Sequence, residues 1–393
     1  MRSFTTAIIL GASALPLSFV AGAKPYSQWM ADSVIARKTP LGKNAAGSVL
    51  MTYDHGVFER ALEMVYNVTG NATYLSYLKT GVDNIMNSAG TLLDYDLDYY
   101  TLDDVRLGPE FIYMYLKTGT AKYKTAADTL RLQLQTQTRN KEGGFWHRST
   151  YPNQMWLDGL YMQAPFYTQY TSFFQPTNTT AYNDIVKQFD LIEKYTRNST
   201  NSLLKHGYDE SKVAVWADPV TGESPEVWDR ALGWYLMALL DVLDYFPASH
   251  AGATTLKNYF IRAVAGVKAA ADPTTGGWWL VMSEPWPGHA GNYIETSGTA
   301  MFVYAMLKGI RKGYISKADY FPTAEKAYKL LLSDYVVEDS SGLLNWEGTV
   351  NVGSLGSNGT FEYYISVAEK ENDFKGLGPF IYASIEYEQM TST

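Results

Sequence analysis

The chain contains no cysteine. Disulfides and thiolate metal sites are therefore excluded, and stability must come from packing. Histidine is scarce: 5 residues, none at a metal-ligand spacing from another, so no metal is expected. There is no Gly-rich phosphate loop, no Gly-x-Ser-x-Gly and no His-Glu-x-x-His. These absences remove nucleotide-binding, serine-esterase and zinc-protease readings in their motif-bearing forms. Excess positive charge is also missing. The formal net charge is −8, which gives no electrostatic footprint for nucleic acid or anionic lipid. Beyond the first 23 residues no apolar run is long enough to span a membrane. Strand signals are few and confined to 276–281 and 342–346.

Residues 1–23 read as a signal peptide: Arg2, an apolar stretch, then Ala21-Gly22-Ala23 before Lys24-Pro25. Asn67, Asn71, Asn178, Asn198 and Asn358 each open an Asn-x-Ser/Thr sequon. Together these features predict a secreted, N-glycosylated protein whose single domain spans 24–393. No cofactor and no obligate protein partner is implied.

What the chain has in abundance is apolar helix. Five helix pairs recur, near 56–66 with 74–86, 109–117 with 123–137, 158–173 with 182–195, 230–245 with 256–271, and 296–310 with 320–335. Two helices remain, near 25–37 and 378–389. If they pair, six hairpins close into an all-α (α/α)6 barrel of six inner and six outer helices. An open α-solenoid is the alternative.

The unusual polar residues precede the first helix of each pair, so all six loops would open at one mouth. Inner-helix N-termini there favour an anion. For Asp54, Asp104, Asp229 and Thr296 helix capping is the simpler reading. Asp158 stands between Trp156 and Gly159. A carboxyl beside an indole in a narrow mouth loses hydration, which favours the protonated form of a general acid; an N-cap is the alternative. Arg230 is suited to clamp a carboxylate or to form a structural ion pair, and Lys375 has the same two readings. For His147 and His206 a surface loop position is the simpler reading. With 31 Tyr and 10 Trp, rings for sugar stacking are plentiful, although a Tyr-rich core explains most of them.

The run Gln154 to Met162, followed by Pro165-Phe166, resembles the signature of unsaturated rhamnogalacturonyl hydrolases, glycoside hydrolase family 105, related to family 88. Further similar stretches are 100–103, 143–147, 206–209, 228–234, 295–301 and 372–376. The resemblance implies an (α/α)6 barrel and a pectin-derived substrate, a 4-deoxy uronate with a C4–C5 double bond linked to rhamnose. It implies hydration of that double bond rather than attack at the anomeric carbon. By motif, Asp158 is the general acid and then base. Asp103 is the second acid, holding substrate hydroxyls and helping keep Asp158 protonated. Tyr53, His147, Trp156, His206, Arg230 and Trp234 would line the site, with Arg230 and His206 facing the substrate carboxylate. The chain departs from the family pattern at Met51, Asp54-His55 and Asp229, which bears on the leaving-sugar side. Rival readings are an unsaturated glucuronyl hydrolase for another lyase-degraded glycan, a non-catalytic sugar-binding protein and a helical scaffold.

Overall fold

A computed structural model describes residues 24–392. The expected signal peptide lies outside the described residues. Six helices form an inner ring: α2 (Tyr53–Thr69), α4 (Gly108–Thr118), α6 (Leu157–Phe174), α8 (Asp229–Leu243), α10 (Thr296–Arg311) and α13 (Phe374–Thr391). Six form the outer layer: α1 (Tyr26–Ala36), α3 (Ala72–Asn84), α5 (Ala121–Thr136), α7 (Thr179–Thr196), α9 (Ala251–Ala269) and α11 (Lys317–Asp334). Each inner helix packs on the next, and α13 packs against both α10 and α2, so the ring is closed. Helix α1 packs on α13 as well as α2, which makes the sixth hairpin from the two ends of the chain. This is the (α/α)6 barrel, not the open solenoid.

Composition explains which helix goes inside. Nearly every residue of α6, α8, α10 and α13 is buried. A helix apolar all round has no face to give to water. Outer α7 instead buries Ala181, Tyr182, Ile185, Phe189 and Ile192, a single stripe at three- and four-residue spacing. The hairpin turns are tight. Gly70 ends α2 and Gly119 ends α4 with φ of 68° and 66°, the left-handed cap that glycine adopts without strain.

The connectors leading into the inner helices are tied to one another in a belt of backbone hydrogen bonds. Leu102 N–H donates to His147 O at 3.0 Å, and His147 N–H to Gln154 O at 2.9 Å. Strands β1 (Gln154–Trp156) and β2 (Gly207–Asp209) pair antiparallel, with Trp156 opposite Gly207. The belt continues through His206 N–H to Glu226 O (3.1 Å), Asp229 N–H to Leu280 O (3.1 Å) and Thr296 N–H to Gly348 O (3.1 Å). A second pair, β3 (Val336–Glu338) with β4 (Leu344–Trp346), lies in the connector after α11. The short helix α12 (Phe361–Ser366) follows it. All six inner helices thus begin at one mouth, on a rim held by main-chain bonds rather than loose loops.

Candidate active site

Three connectors supply the acidic centre. The one before α4 makes a 3-10 turn at Asp103–Leu107, the one before α6 carries His147 and β1, and the one before α8 carries His206. Asp103 Oδ1 lies 3.4 Å from His147 Nε2, and its Oδ2 accepts from Arg148 Nη2 at 2.6 Å. Burial works to raise the Asp103 pKa, but His147 and Arg148 outweigh it and hold the carboxyl at about 2. Asp103 is therefore an anion. Asp158, the second residue of α6, turns Oδ2 to His206 Nε2 at 2.9 Å. It does not cap its helix, which overturns the N-cap alternative. Its Oδ1 has no hydrogen-bond partner among the described residues.

One aromatic stack joins the two acids. The Trp156 indole lies parallel to His147 at 4.3 Å and meets His206 edge-on at 5.8 Å. A Cβ at position 159 would sit 3.1 Å from His147 Nδ1, so Gly159 allows the start of α6 to press against the Asp103 support. Asp103 and Asp158 thus stand on either side of Trp156, each held by a histidine that stacks on it or abuts it. Neither histidine is a surface loop residue.

The sequence placed Trp156, His206, Arg230 and Trp234 on the lining, and the structure sets them behind it. They are 6%, 0%, 1% and 1% exposed. Tyr151 stacks on Trp156 at 4.7 Å opposite His147, so neither indole face is open to a sugar. Trp234 stacks on Tyr161 at 4.8 Å and meets Tyr53 edge-on at 6.5 Å. The Arg230 guanidinium donates to Ser297 Oγ (2.7 Å), Asn351 O (2.8 Å), Glu295 (3.4 Å) and Val350 O. That is the structural ion pair, and it pins the 350–351 segment to the rim. Lys375 likewise binds Asp373 at 2.7 Å. Asp229 is fully buried; burial and then Glu295 push its carboxyl well above the usual range. Of the four residues read as caps, Asp54, Asp104 and Thr296 accept no first-turn N–H, and Asp229 Oδ1 accepts only the adjacent Arg230 N–H at 2.8 Å from within α8. Glu295 caps α10 and Asp373 caps α13 in their neighbourhood.

Tyr53 does reach the mouth. Burial, with Asp103 next, raises its phenol well above 10, and Arg230 and Asp373 act on the same hydroxyl. It joins Thr52, Asp94, Tyr95, Asp96, Tyr99, Asp103, Asp104 and Arg148 around a cavity of about 510 Å³. Sequence reasoning missed Arg148, whose guanidinium lies 5.3 Å from the Tyr99 ring and 5.6 Å from Tyr151 while holding Asp103. Its position directly after His147 was the available signal. Tyr364, which touches His206 Nδ1 at 2.6 Å, was missed as well, because nothing local in the sequence marks α12. Among the described residues there is no cluster of three or more acidic or histidine residues placed to hold a metal ion, and no helix is long and apolar enough to cross a membrane.

The closed six-hairpin barrel thus carries Asp103 and Asp158 at its mouth. The chain belongs to Glycosyl Hydrolase Family 88, whose profile matches residues 26–391. A family 105 glycoside hydrolase of C. acetobutylicum ATCC 824 superposes with a TM-score of 0.88 at 38% identity, covering 93% of this chain and 100% of that one. A protein of Agrobacterium fabrum is 35% identical over 212 residues, 52% of this chain and 89% of the relative. An unsaturated 3S-rhamnoglycuronyl hydrolase of Formosa agariphila is 26% identical over 203 residues, 49% of this chain and 48% of that protein.

Proposed function

We propose that the protein is a secreted hydrolase that releases the 4-deoxy-4,5-unsaturated galacturonyl residue from rhamnogalacturonan-derived oligosaccharides by hydrating its double bond. The observation that carries this reading is the asymmetry of the two acids. Asp103 is locked as an anion by His147 and Arg148, whereas Asp158 has one oxygen on buried His206 and the other without a partner among the described residues. One fixed anion and one carboxyl with a free oxygen suit a substrate holder and a proton carrier.

In this mechanism Asp158 gives its proton to C4 of the alkene, and positive charge develops at C5 beside the ring oxygen. Asp158, now a carboxylate, takes a proton from water as that water bonds to C5. The hemiketal opens by breaking the C5–O5 bond, C1 is left as a hemiacetal, and the second sugar departs as an alcohol. Ordinary carboxylate-spacing rules for glycosidases do not apply, because C1 is not attacked. Asp103 holds substrate hydroxyls.

The cavity beside Asp103 supports a neutral leaving sugar. Asp94, Asp96 and Asp103 line it against one arginine, so a sulfated or uronic leaving group would meet like charge. Secretion is supported by the leader-like 1–23 stretch and by sequon asparagines at Asn67, Asn71, Asn198 and Asn358 that stand exposed. Asn178 is instead half-buried as the cap of α7. The test is a panel of lyase-generated unsaturated disaccharides, galacturonyl and glucuronyl, differing in the leaving sugar. Loss of the conjugated enoate's ultraviolet absorbance, fastest with a rhamnose partner, is expected. No loss with any member would remove the hydrolase reading.

A further inference from the structure

Helix α12 lies outside the twelve barrel helices, yet it places one hydroxyl at the centre of the site. Tyr364 is 1% exposed, and its ring stacks 5.8 Å from Trp228, which in turn packs 4.9 Å from His206. The Tyr364 hydroxyl is 2.6 Å from His206 Nδ1, and His206 Nε2 is 2.9 Å from Asp158 Oδ2. We propose that Tyr364 is a positioning residue that fixes His206 as the neutral Nε2–H tautomer, so that Asp158 accepts this N–H on Oδ2 and presents its acid proton on Oδ1. The inference rests on the hydration reading for its catalytic meaning, but not for its tautomer.

Donors and acceptors around Tyr364 fix the tautomer. The Tyr364 hydroxyl has no other hydrogen-bond partner among the described residues. If Nδ1 carried a proton, Nδ1–H would donate to the phenol oxygen and the hydroxyl hydrogen would be buried unpaired, a costly arrangement. With the hydroxyl donating, Nδ1 is the bare acceptor, and the single N–H of a neutral imidazole falls on Nε2. Burial holds the phenol well above 10, so it keeps the proton it donates. The charged or titratable groups acting on Tyr364 are Asp158 from α6, Tyr363 from α12 itself and Glu226 from the connector before α8. Glu226 accepts from Trp286 Nε1 at 3.0 Å. None of them is a cation. An imidazolium at 206 would hold Asp158 as its counter-ion and strip the acid of its proton. A neutral N–H donor orients the carboxyl and leaves that proton in place. Asp158 can then give a proton and take one back at the same oxygen, as the two halves of the reaction require.

The experiment uses the full chain labelled with 15N-histidine. Long-range 1H–15N spectra near about pH 6 should report His206 with a bare, hydrogen-bonded Nδ1 and a protonated Nε2. Tyr364→Phe keeps the ring and removes the donor. Its expected effects are a loss of that signature in favour of imidazolium at the same pH, and a fall in kcat of about tenfold with KM changed less than about twofold. The alkaline limb of the kcat profile should move to lower pH. Tyr363→Phe, on the same short helix, should leave both the spectrum and the pH profile as in the unmodified protein. An Nδ1–H tautomer or an imidazolium in the unmodified protein overturns the proposal, as does a Tyr364→Phe variant with unchanged spectrum and pH profile. The spectrum decides the tautomer even if no unsaturated sugar is consumed, so failure of the hydration reading is separately visible.

Discussion

Asp104 offers a test in which stability and pH must move together with a fixed sign. Its carboxyl lines the cavity beside Asp103, and burial first, then Asp103, raises its pKa from 3.8 to about 7. A group whose folded pKa lies above its unfolded one is protonated in the folded protein while the unfolded chain has already released the proton. Its contribution is therefore neutral below the unfolded value and becomes a penalty as pH rises toward 7. At roughly 1.36 kcal/mol for each pH unit, the ceiling is about 4 kcal/mol at pH 8 and less than half of that at pH 5. Water in the cavity screens part of this, and about 2 kcal/mol at pH 8 is expected. Asp104→Asn removes the charge at nearly constant volume. Equilibrium urea denaturation should show the variant more stable at pH 8 by about 2 kcal/mol, with the gain falling by half or more at pH 5. A gain that does not change with pH, or a loss of stability at pH 8, would show that Asp104 is not held protonated by burial and Asp103.

Other substitutions probe the rest of the site. Arg148→Ala removes one of the two groups holding Asp103 at about 2. The stability an ionised Asp103 contributes, present above its unfolded pKa and lost as pH falls through the folded one, should then vanish at higher pH, seen as an acid-unfolding midpoint moved up by a fraction of a pH unit to about one. A Cβ on Gly108 would lie 2.2 Å from the Phe166 ring. Gly108→Ala is expected to cost about 1–3 kcal/mol of unfolding free energy. Trp156→Ala should cost about 3–5 kcal/mol and abolish turnover, because both histidines that hold the acids lose their shared support.

The barrel was legible because its signal is periodic and local. Inner helices such as α8 run apolar on every side, outer ones such as α7 carry one stripe, and the hairpin turns between them are short. That Asp158 and Asp103 would come to one mouth was legible too, since both lie where a connector enters an inner helix. Orientation was not. Whether the faces of Trp156 are open depends on how the turn before it folds Tyr151 and His147 back onto the ring, while β1–β2 pairing brings His206 to its edge from about 50 residues away. Arg230 reads as a clamp or an ion pair alike until the 350–351 carbonyls, more than 100 residues away, are seen to take its donors. Tyr364 reaches His206 over a separation of 158 residues. Such contacts have no local pattern, so composition and spacing cannot announce them.

In the proposed reaction Asp158 protonates an alkene carbon. The most direct measurement is a 1H NMR time course in D2O with an unsaturated galacturonyl–rhamnose disaccharide. The unmodified protein should erase the vinyl H4 signal, place deuterium at C4 and release rhamnose, while Asp158→Asn, still folded, leaves the vinyl signal intact. Release of rhamnose with the double bond preserved, or undiminished loss of the vinyl signal in the variant, would contradict the account.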